Sequence, residues 1–364
     1  MRVHVVDPSA YTPPYDHAFC AALGAAGADA DLYTSRFAHG EVASADGYRR
    51  HEFFYRRAAR VGGARERRML KLAEHVPDML RYRREACSAD IVHFQWLPVQ
   101  HLDGMLLPSG RPLVITAHDV LPREPRPGQR AAQRRLYDRF DAVVVHSEHG
   151  RARLQDELGV DPARVHVIHH GALEHLAAGE RAAGAGGPPL VLCFGLMRPY
   201  KGIDLLLEAW RGIEGAELLV AGMPRMDISG LRRSLPPGVT LEPRYLTDAE
   251  LAESFQRADL VVLPYREIDQ SGVLFTALAF GKPLLLSDVG GFPEVAGTGA
   301  ARTFPAGDVP ALHSALAELL ADPGALREMA ASASAAAQGP YSWSESARLT
   351  LELYRSLLQA QGGR

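Results

Sequence analysis

Short apolar runs alternate with longer amphipathic stretches along nearly the whole chain, and this alternation restricts the fold more than any single motif. Apolar runs that predict buried strands lie at residues 1–6, 90–94, 113–116, 142–145 and 165–168. The pattern stops after residue 172 and starts again, with predicted strands at residues 190–194, 218–221, 260–263 and 284–286. Helical patterns separate the strands, for example at residues 15–26 and 203–213. Strands that alternate with helices predict βαβ units and therefore parallel sheets.

The break in this pattern predicts two domains. Residues 172–189 are rich in Ala, Gly and Glu and end in two prolines, which is typical of a linker. We therefore predict an α/β protein with two Rossmann-like domains, at residues 1–171 and 190–340, that face a cleft. An amphipathic pattern at residues 341–361 predicts a terminal helix that packs back onto the first domain.

Composition excludes several classes of protein. With 47% hydrophobic residues in 364, the chain has enough apolar mass for two cores and is not a disordered protein. A net charge of -3 gives no reason to expect a nucleic-acid partner. The three cysteines are widely spaced, and the N-terminal apolar run is shorter than that of a signal peptide, so we expect a cytoplasmic protein.

One segment departs from this neutral average. Residues 49–84 contain twelve Lys or Arg residues and four acidic residues, with aromatic and aliphatic residues between them. Such a segment could bind the inner face of a membrane peripherally, which would suit a lipid-linked acceptor. The alternative is a solvated helical insertion whose apolar residues pack inward.

Two loops of the second domain are candidate anion sites. Arg198 and Lys201 lie between Gly195 and Gly202, directly after a predicted strand, where they could bind a diphosphate. Ser271 and Gly272 begin a predicted helix, whose free N–H groups favour an anion. The alternatives are solvated surface cations in the first loop and an ordinary capped turn in the second.

A histidine follows a predicted strand in the first domain. His118, followed by Asp119, lies at the strand's carboxyl end, where an imidazole can bind a hydroxyl or exchange a proton. A structural role is the alternative. His166, His169 and His170 could form a metal site, although their alternation also fits the end of a strand.

In their order along the chain, these features resemble the retaining, nucleotide-sugar-dependent glycosyltransferases of family 4, which have GT-B architecture. The resemblance covers nearly the whole chain. It rests on His118-Asp119, Gly195–Gly202 with Lys201, the Pro264 loop, Gly281-Lys282-Pro283 and residues 288–294.

The resemblance implies a function and a set of site residues. A sugar would pass from a nucleoside-diphosphate sugar to a hydroxyl of a sugar, lipid-linked or small-molecule acceptor, with retention and without a metal or other cofactor. Catalytic roles would fall to His118, Arg198, Lys201 and an acid such as Glu267. Donor contacts would come from Arg198, Lys201, Tyr245, Leu246, Gln270, Ser271, Gly272, Val273 and Thr276.

The chain departs from the family pattern at three places. Ile268 and Thr276 occupy the positions of two family glutamates, and Glu267 and Asp269, which flank Ile268, are the acids that could reach the site instead. The chain also resembles a subgroup that has Gln-Ser-Gly-Val in this loop and lacks the second acid. Leu196 occupies the position of the usual arginine, and Arg198 lies closer to Lys201. The first βα loop lacks the family's paired glycines, and its bulkier residues should reshape the acceptor side. Tyr15, Asp16 and Asp119 are the acceptor-side candidates, with a helix cap as the alternative for Asp16.

Two other functions remain open at this point. The missing acid pair would also fit an inactive member that binds a sugar nucleotide as a regulatory subunit. A related two-domain enzyme, such as a sugar-nucleotide epimerase, is the third interpretation.

Overall fold

The computed structural model describes residues 1–37, 42–121, 127–177 and 187–362, without the side chain of His175. The chain divides into two compact units. Unit 1 comprises residues 1–170 and 343–364, and unit 2 comprises residues 171–342. Part of the predicted linker, residues 178–186, lies outside the described residues, whereas residues 172–177 belong to unit 2.

Unit 1 is built on one parallel sheet. Its strands are β1 (Arg2–Asp7), β2 (Asp29–Ser35), β3 (Arg49–Phe54), β4 (Ile91–Phe94), β5 (Leu113–Thr116), β6 (Ala142–Val145) and β7 (Val165–Val167), in the order β3-β2-β1-β4-β5-β6-β7. The helices before residue 171 are α1 (Pro13–Ala25), α2 (Ala64–Glu85), α3 (Gln100–Leu106), α4 (Gln129–Tyr137) and α5 (Glu148–Leu158). Apolar cores cover both faces of the sheet, as expected for parallel strands joined by helices.

Unit 2 repeats this architecture. Its strands are β8 (Leu190–Phe194), β9 (Glu217–Ala221), β10 (Val239–Glu242), β11 (Leu260–Leu263), β12 (Leu284–Ser287) and β13 (Ala301–Phe304), in the order β10-β9-β8-β11-β12-β13. Its helices within the described residues are α6 (Ile203–Ala209), α7 (Ser229–Arg233), α8 (Asp248–Arg257), α9 (Gly272–Ala279), α10 (Phe292–Ala296), α11 (Val309–Ala321) and α12 (Pro323–Gln338). Both sheets are therefore doubly wound, and ligands of such sheets bind where the strand order reverses, between β1 and β4 or between β8 and β11.

The last helix, α13 (Trp343–Gly362), returns to unit 1 and packs against α1. Its buried face carries Ala347, Leu351 and Tyr354, which join the core beneath α1. The Tyr354 hydroxyl lies 2.6 Å from Nδ1 of His93 on β4. The terminal helix is therefore part of the core of the first unit.

Two sequence interpretations need correction. Residues 49–54 of the basic segment are the edge strand β3, so the segment is not a purely helical insertion. Asp16 is not a helix cap: Thr12 occupies the N-cap of α1, Pro13 begins the helix, and Asp16 lies buried in the first turn.

Candidate active site

In unit 2, the loops that follow β8 and β11 come together around Lys201. Its side chain is only 8% exposed, and its Nζ donates a hydrogen bond to the Tyr265 hydroxyl at 2.5 Å. That hydroxyl lies 3.4 Å from Oγ of Ser271, the N-cap residue of α9. A positive charge, a phenol and a helix N-terminus thus share one location at the point where the strand order reverses.

Glycine is required at residue 195 for this packing. The backbone of Gly195 has φ +129°, and a Cβ there would lie 3.0 Å from Nζ of Lys201 and 3.3 Å from Cγ2 of Val273. Residues other than glycine rarely adopt such a φ, and the added Cβ would lie too close to the ammonium group of Lys201. Gly195 therefore allows the lysine to approach the first turn of α9.

Arg266 ties the two loops together. Its guanidinium donates to both carboxylate oxygens of Asp204, at 2.9 and 2.6 Å, and to the carbonyl oxygen of Pro199 at 2.7 Å. Its backbone N–H donates to the carbonyl of Tyr200 at 2.7 Å. Tyr265 is fixed from the other side, because Oγ of Ser287 donates to its carbonyl at 2.6 Å. These contacts hold the lysine-bearing turn in place.

Two exposed arginines lie at the same sheet edge. Arg198 follows β8 and Arg225 follows β9, and neither side chain has a hydrogen-bond or ion-pair partner among the described residues. The two loops are joined by backbone hydrogen bonds from Met197 to Met223 and from Arg225 to Met197, both at 2.9 Å. The two guanidinium groups are therefore available to an anion.

The predicted acid and the other donor residues have varied surroundings. Glu267 is exposed, Asp269 and Gln270 are half-buried, and Ile268 between them is buried. The α9 helix begins at Gly272, and no side chain among the described residues caps its N-terminus, so the N–H groups of Gly272 and Val273 face outward from the helix end. The Thr276 hydroxyl is buried and donates to the carbonyl of Gly272 at 3.0 Å.

The predicted nucleobase loop follows β10. Tyr245 is exposed, whereas Leu246 is buried. The loop is held by Arg244, which pairs with Glu242 at 3.0 Å and with Glu250 at 2.8 Å. Tyr245 is thus a free aromatic surface on a fixed loop.

In unit 1, His118 lies in a chain of neutral histidines. Nδ1 of His146 donates to the carbonyl oxygen of Ile168 at 2.8 Å, and burial lowers the pKa of His146 to about 4. A neutral His146 therefore has an unprotonated Nε2, and it accepts a hydrogen bond from Nδ1–H of His118 at 3.3 Å. This fixes the tautomer of His118 and leaves its Nε2 as a hydrogen-bond acceptor.

Gln95 completes this chain. Nε2 of His118 lies 3.2 Å from the side-chain amide oxygen of Gln95, whose amide nitrogen has no partner in the described part of the chain. Because Nε2 of His118 carries no proton, the Gln95 amide donates a hydrogen bond to it when the amide nitrogen, rather than the oxygen, faces the histidine. Burial lowers the pKa of His118 well below its usual value, so His118 is neutral at pH 7.

Of the other acceptor-side candidates, Tyr15 is in contact with His118. The buried Tyr15 ring packs edge-on against His118, with centroids 4.6 Å apart, and against Trp343 of α13 at 5.0 Å. Asp119 is exposed, whereas Asp16 is buried and forms a hydrogen bond with Asp7. Tyr15 therefore positions the histidine.

Metal-binding groupings of His, Cys, Asp or Glu are not found among the described residues. One Asp-x-Asp sequence, Asp29-Ala30-Asp31, has a spacing used for metals elsewhere, but Asp31 accepts hydrogen bonds from Arg2 at 3.1 Å, Arg49 at 2.7 Å and His51 at 2.7 Å. Its carboxylate is thus neutralised by side chains of the protein itself.

Sequence patterns missed three residues of this site. Tyr265, Arg225 and Arg266 carry no local motif, and their roles come from contacts with residues distant in the chain. Its place two residues after the Leu260–Leu263 strand was the one available signal for Tyr265, since residues that follow a strand lie at the ligand edge of the sheet.

Two doubly wound parallel α/β domains are typical of the GT-B architecture. Residues 16–172 match the family described as Glycosyltransferase Family 4, and residues 188–322 match Glycosyl transferases group 1. The chain belongs to this group of glycosyltransferases, as the resemblance in its sequence indicated.

Individual relatives support the assignment. D-inositol 3-phosphate glycosyltransferase of Mycobacterium avium (strain 104) is 30% identical over 278 residues, which cover 68% of this chain and 65% of the relative. GDP-mannose:glycolipid 4-beta-D-mannosyltransferase of Xanthomonas campestris pv. campestris is 26% identical over 246 residues, covering 60% and 68%. The match thus spans slightly less than two thirds of the mycobacterial relative's length.

A solved structure confirms the fold. Sucrose-phosphate synthase from Thermosynechococcus elongatus superposes with a TM-score of 0.77 at 20% identity, over 99% of this chain and 100% of that one. The prediction of two Rossmann-like domains with parallel sheets and flanking helices is therefore confirmed.

Proposed function

We propose that the protein transfers a sugar from a nucleoside-diphosphate sugar to an acceptor hydroxyl, with retention of the anomeric configuration and without a metal. The observation that carries this proposal is the grouping of Lys201, Tyr265 and Ser271 at the N-terminus of α9. A leaving diphosphate gains negative charge in the transition state, and a fixed ammonium group with helix N–H groups neutralises that charge. No metal ion is needed for that step.

We propose the following roles for the residues of each unit. Lys201 binds the diphosphate from its buried position, and Arg198 adds a mobile positive charge from the same loop. Tyr245 and Leu246 flank the nucleobase, while Gln270, Val273 and Thr276 line the sugar-phosphate side. Glu267 supplies the acid, and His118 contacts the transferred sugar as a neutral hydrogen-bonding group.

The names of the relatives are consistent with this class of reaction. One names GDP-mannose as its donor and a glycolipid as its acceptor, and another names a phosphorylated inositol. We propose a nucleoside-diphosphate hexose as the donor of this protein, and a sugar or lipid-linked molecule as its acceptor.

A panel of UDP-, GDP- and ADP-sugars tests the proposal. A donor at 100 times its dissociation constant should stabilise the protein by about 2.7 kcal/mol, and the thermal shift ranks the panel. The best donor is then incubated with acceptors, and the expected result is release of the nucleoside diphosphate together with an α-linked product from an α-linked donor, read by NMR. A β-linked product from that donor would contradict retention, and activity abolished by chelators would contradict metal independence.

The same panel tests an inactive, nucleotide-binding member, which the absence of acids at Ile268 and Thr276 favours. Such a protein would show the thermal shift with one donor and no release of nucleoside diphosphate under any condition. An epimerase would give a product that keeps the nucleotide, which mass spectrometry distinguishes.

We further propose that α2 holds the protein peripherally at an anionic membrane. Met69, Leu72 and Leu80 share the solvent-facing side of this helix, and Met69 is 63% exposed. The adjacent α3 adds Met105, which is 68% exposed. A hydrogen bond between Nε2 of His75 and the Asp103 carboxylate, at 2.6 Å, joins α3 to α2. Within the described residues no helix is long and apolar enough to cross a bilayer.

Charge and apolar surface combine on α2 in the way that interfacial helices require. Arg65 and Arg68 are exposed beside Met69, so they can contact anionic headgroups while the apolar side chains enter the interface. Each such cation contributes about 1 kcal/mol near an anionic surface.

We expect the double variant Arg65→Glu/Arg68→Glu to bind vesicles containing phosphatidylglycerol at least tenfold more weakly than the wild type. The reason is the loss of two attractions and the gain of two repulsions at the surface. Co-sedimentation at low and high salt is the measurement. The charge-matched control is Arg232→Glu/Arg233→Glu on α7, which should bind as the wild type does. Equal binding by both double variants, or binding insensitive to salt, would contradict the membrane assignment.

A further inference from the structure

A polar cavity of about 300 Å³ lies within unit 1, between α1 and the strands β2 and β3. Its polar lining comes chiefly from Asp16, Thr34, Ser35, Arg36, Tyr48 and Arg50. This volume lies at the lower end of the range for small-molecule sites. The cavity belongs to unit 1 alone and shares no residue with the loops around Lys201.

Two buried polar atoms of this lining lack partners. Oδ1 of Asp16 and Oγ of Ser35 form no hydrogen bond with any described residue, although Asp16 is 1% and Ser35 is 3% exposed. A buried polar atom without a partner is costly, and such atoms are rare in native proteins. Two of them on one cavity indicate that a bound molecule supplies the missing hydrogen bonds.

The state of Asp16 defines what that molecule must offer. The Asp7 carboxylate accepts hydrogen bonds from the backbone N–H groups of Ser9 and Tyr11, which favours its ionised form. Burial, followed by the neighbouring charge of Asp7, raises the pKa of Asp16 well above its usual value. Asp16 therefore donates its proton to Asp7 and keeps Oδ1 as an acceptor for a hydroxyl group.

The cations of the cavity define a second requirement. Arg36 is exposed, and Arg50 is half-buried and held by a hydrogen bond to the carbonyl of Ala43 at 2.7 Å. Glu52 is the one acid that lines the cavity besides the protonated Asp16 within the described residues, so a net positive charge remains. A ligand with several hydroxyl groups and one phosphate would satisfy both the unpartnered oxygens and this charge.

We propose that the cavity binds a phosphorylated polyol, either a sugar phosphate or a cyclitol phosphate. Its hydroxyl groups bind Asp16 and Ser35, and its phosphate binds Arg36 and Arg50. That this ligand is the acceptor of sugar transfer rests on the proposed function, whereas the site itself does not. The phosphate could belong to a free metabolite or to the headgroup of a lipid, since both present the same chemistry.

Calorimetric titration with glucose 6-phosphate, glucose 1-phosphate and inositol 1-phosphate tests the site. We expect saturable binding of at least one of them. Ser35→Ala should weaken it about tenfold while leaving the melting temperature unchanged or higher, because the variant removes an unpaired polar atom. Arg50→Met should lower the affinity for the phosphorylated ligand at least tenfold and leave the affinity for the parent polyol, which has no phosphate, unchanged.

The matched control is Ser147→Ala, which removes a buried hydroxyl that does have a partner. Oγ of Ser147 accepts from the backbone N–H of Gly150 at 3.0 Å, so this variant should melt at a lower temperature and bind the ligand normally. Failure of all three ligands to bind, or equal affinities of the wild type, Ser35→Ala and Arg50→Met, would overturn the site.

Two further arms separate the site from the transferase proposal and identify the source of the phosphate. UDP binding, measured on the same samples, reports on unit 2, so a lost transferase activity with intact polyol phosphate binding refutes only the proposed function. Binding to vesicles of phosphatidylinositol, but not of phosphatidylglycerol, that glucose 6-phosphate reverses would assign the lipid source. Binding of the soluble ligands without that vesicle binding would assign the free metabolite, and either result supports the shared chemistry.

Discussion

Replacing Lys201 with alanine is expected to lower kcat/KM for sugar transfer, or for hydrolysis of the donor, about 1,000-fold. The ammonium group is buried, and it is held by the Tyr265 hydroxyl next to the N-terminus of α9. A fixed donor that meets developing negative charge is worth about 10²–10³ in rate, and Lys201 supplies a full charge from a buried position. Steady-state kinetics measures the fall in kcat/KM. The thermal shift that the nucleoside diphosphate produces in the wild type should be absent in the variant.

The matched control is Lys282→Ala, in the same unit and with the same change of charge. Nζ of Lys282 donates to the carbonyl oxygen of Gln256 at 2.8 Å, so this variant should lose some stability and keep donor binding. Lys201→Met keeps the apolar stem and separates lost charge from lost packing. A Lys201→Met protein that melts normally and still shows the full shift with nucleoside diphosphate would refute the assigned role.

Tyr265 connects this lysine to the helix N-terminus, and the sequence could not predict that contact. The pattern around Lys201 and Ser271 is local, because a strand, a turn and a helix start follow one another within a few residues. The contact of Tyr265 with Lys201 joins positions 64 residues apart, and that of Arg266 with Asp204 joins positions 62 apart. Such pairs depend on which strands become neighbours, and here β8 and β11 pair although β9 and β10 separate them in sequence.

The same reasoning explains which strands could be predicted. The strands Leu113–Thr116, Ala142–Val145 and Leu260–Leu263 are continuous apolar runs buried on both faces, and the sequence predicts their bounds correctly. The strands β2 and β3 give no such signal, because charged residues interrupt them. Asp31 lies opposite Arg49 in the register of the two strands, and their ion pair at 2.7 Å makes the buried charge tolerable.

A further property of unit 1 follows from its buried histidines. Burial lowers the pKa of His93 to about 3 and the pKa values of His4 and His146 to about 4, in each case from 6.5. His118 is shifted in the same direction. In unit 2 the described histidine side chain is that of His313, which is half-buried and whose Nδ1 lies 2.7 Å from the carbonyl oxygen of Ala209.

We expect unit 1 to lose about 3 kcal/mol of stability for each pH unit between pH 6 and pH 5. When the pKa of a histidine is lower in the folded than in the unfolded chain, the unfolded chain binds more protons below pH 6.5. The contribution of that histidine to the free energy of unfolding is therefore complete above pH 6.5 and is lost as the pH falls. Each histidine contributes about 1.4 kcal/mol per pH unit in this range. His17 and His166, whose pKa values burial also lowers, add to this effect, whereas Asp7, Asp16 and Asp78, whose pKa values burial raises, oppose it. We therefore expect a net difference of about two protons between the unfolded and the folded chain. Hydrogen exchange followed by mass spectrometry at each pH measures the stability of the two units separately.

Unit 2 is the internal control, since its core strands should keep their protection over the same range once intrinsic exchange rates are corrected. The variant His93→Gln tests the cause. A glutamine amide can still donate to one neighbour of His93 and accept from the other, namely the hydroxyls of Tyr354 and Thr116, but it does not titrate. Its stability should therefore fall less steeply with pH, by about 1.4 kcal/mol per pH unit, as expected for one proton. Identical slopes for His93→Gln and the wild type, or equal loss of protection in both units, would show that the buried histidines do not cause the acid sensitivity.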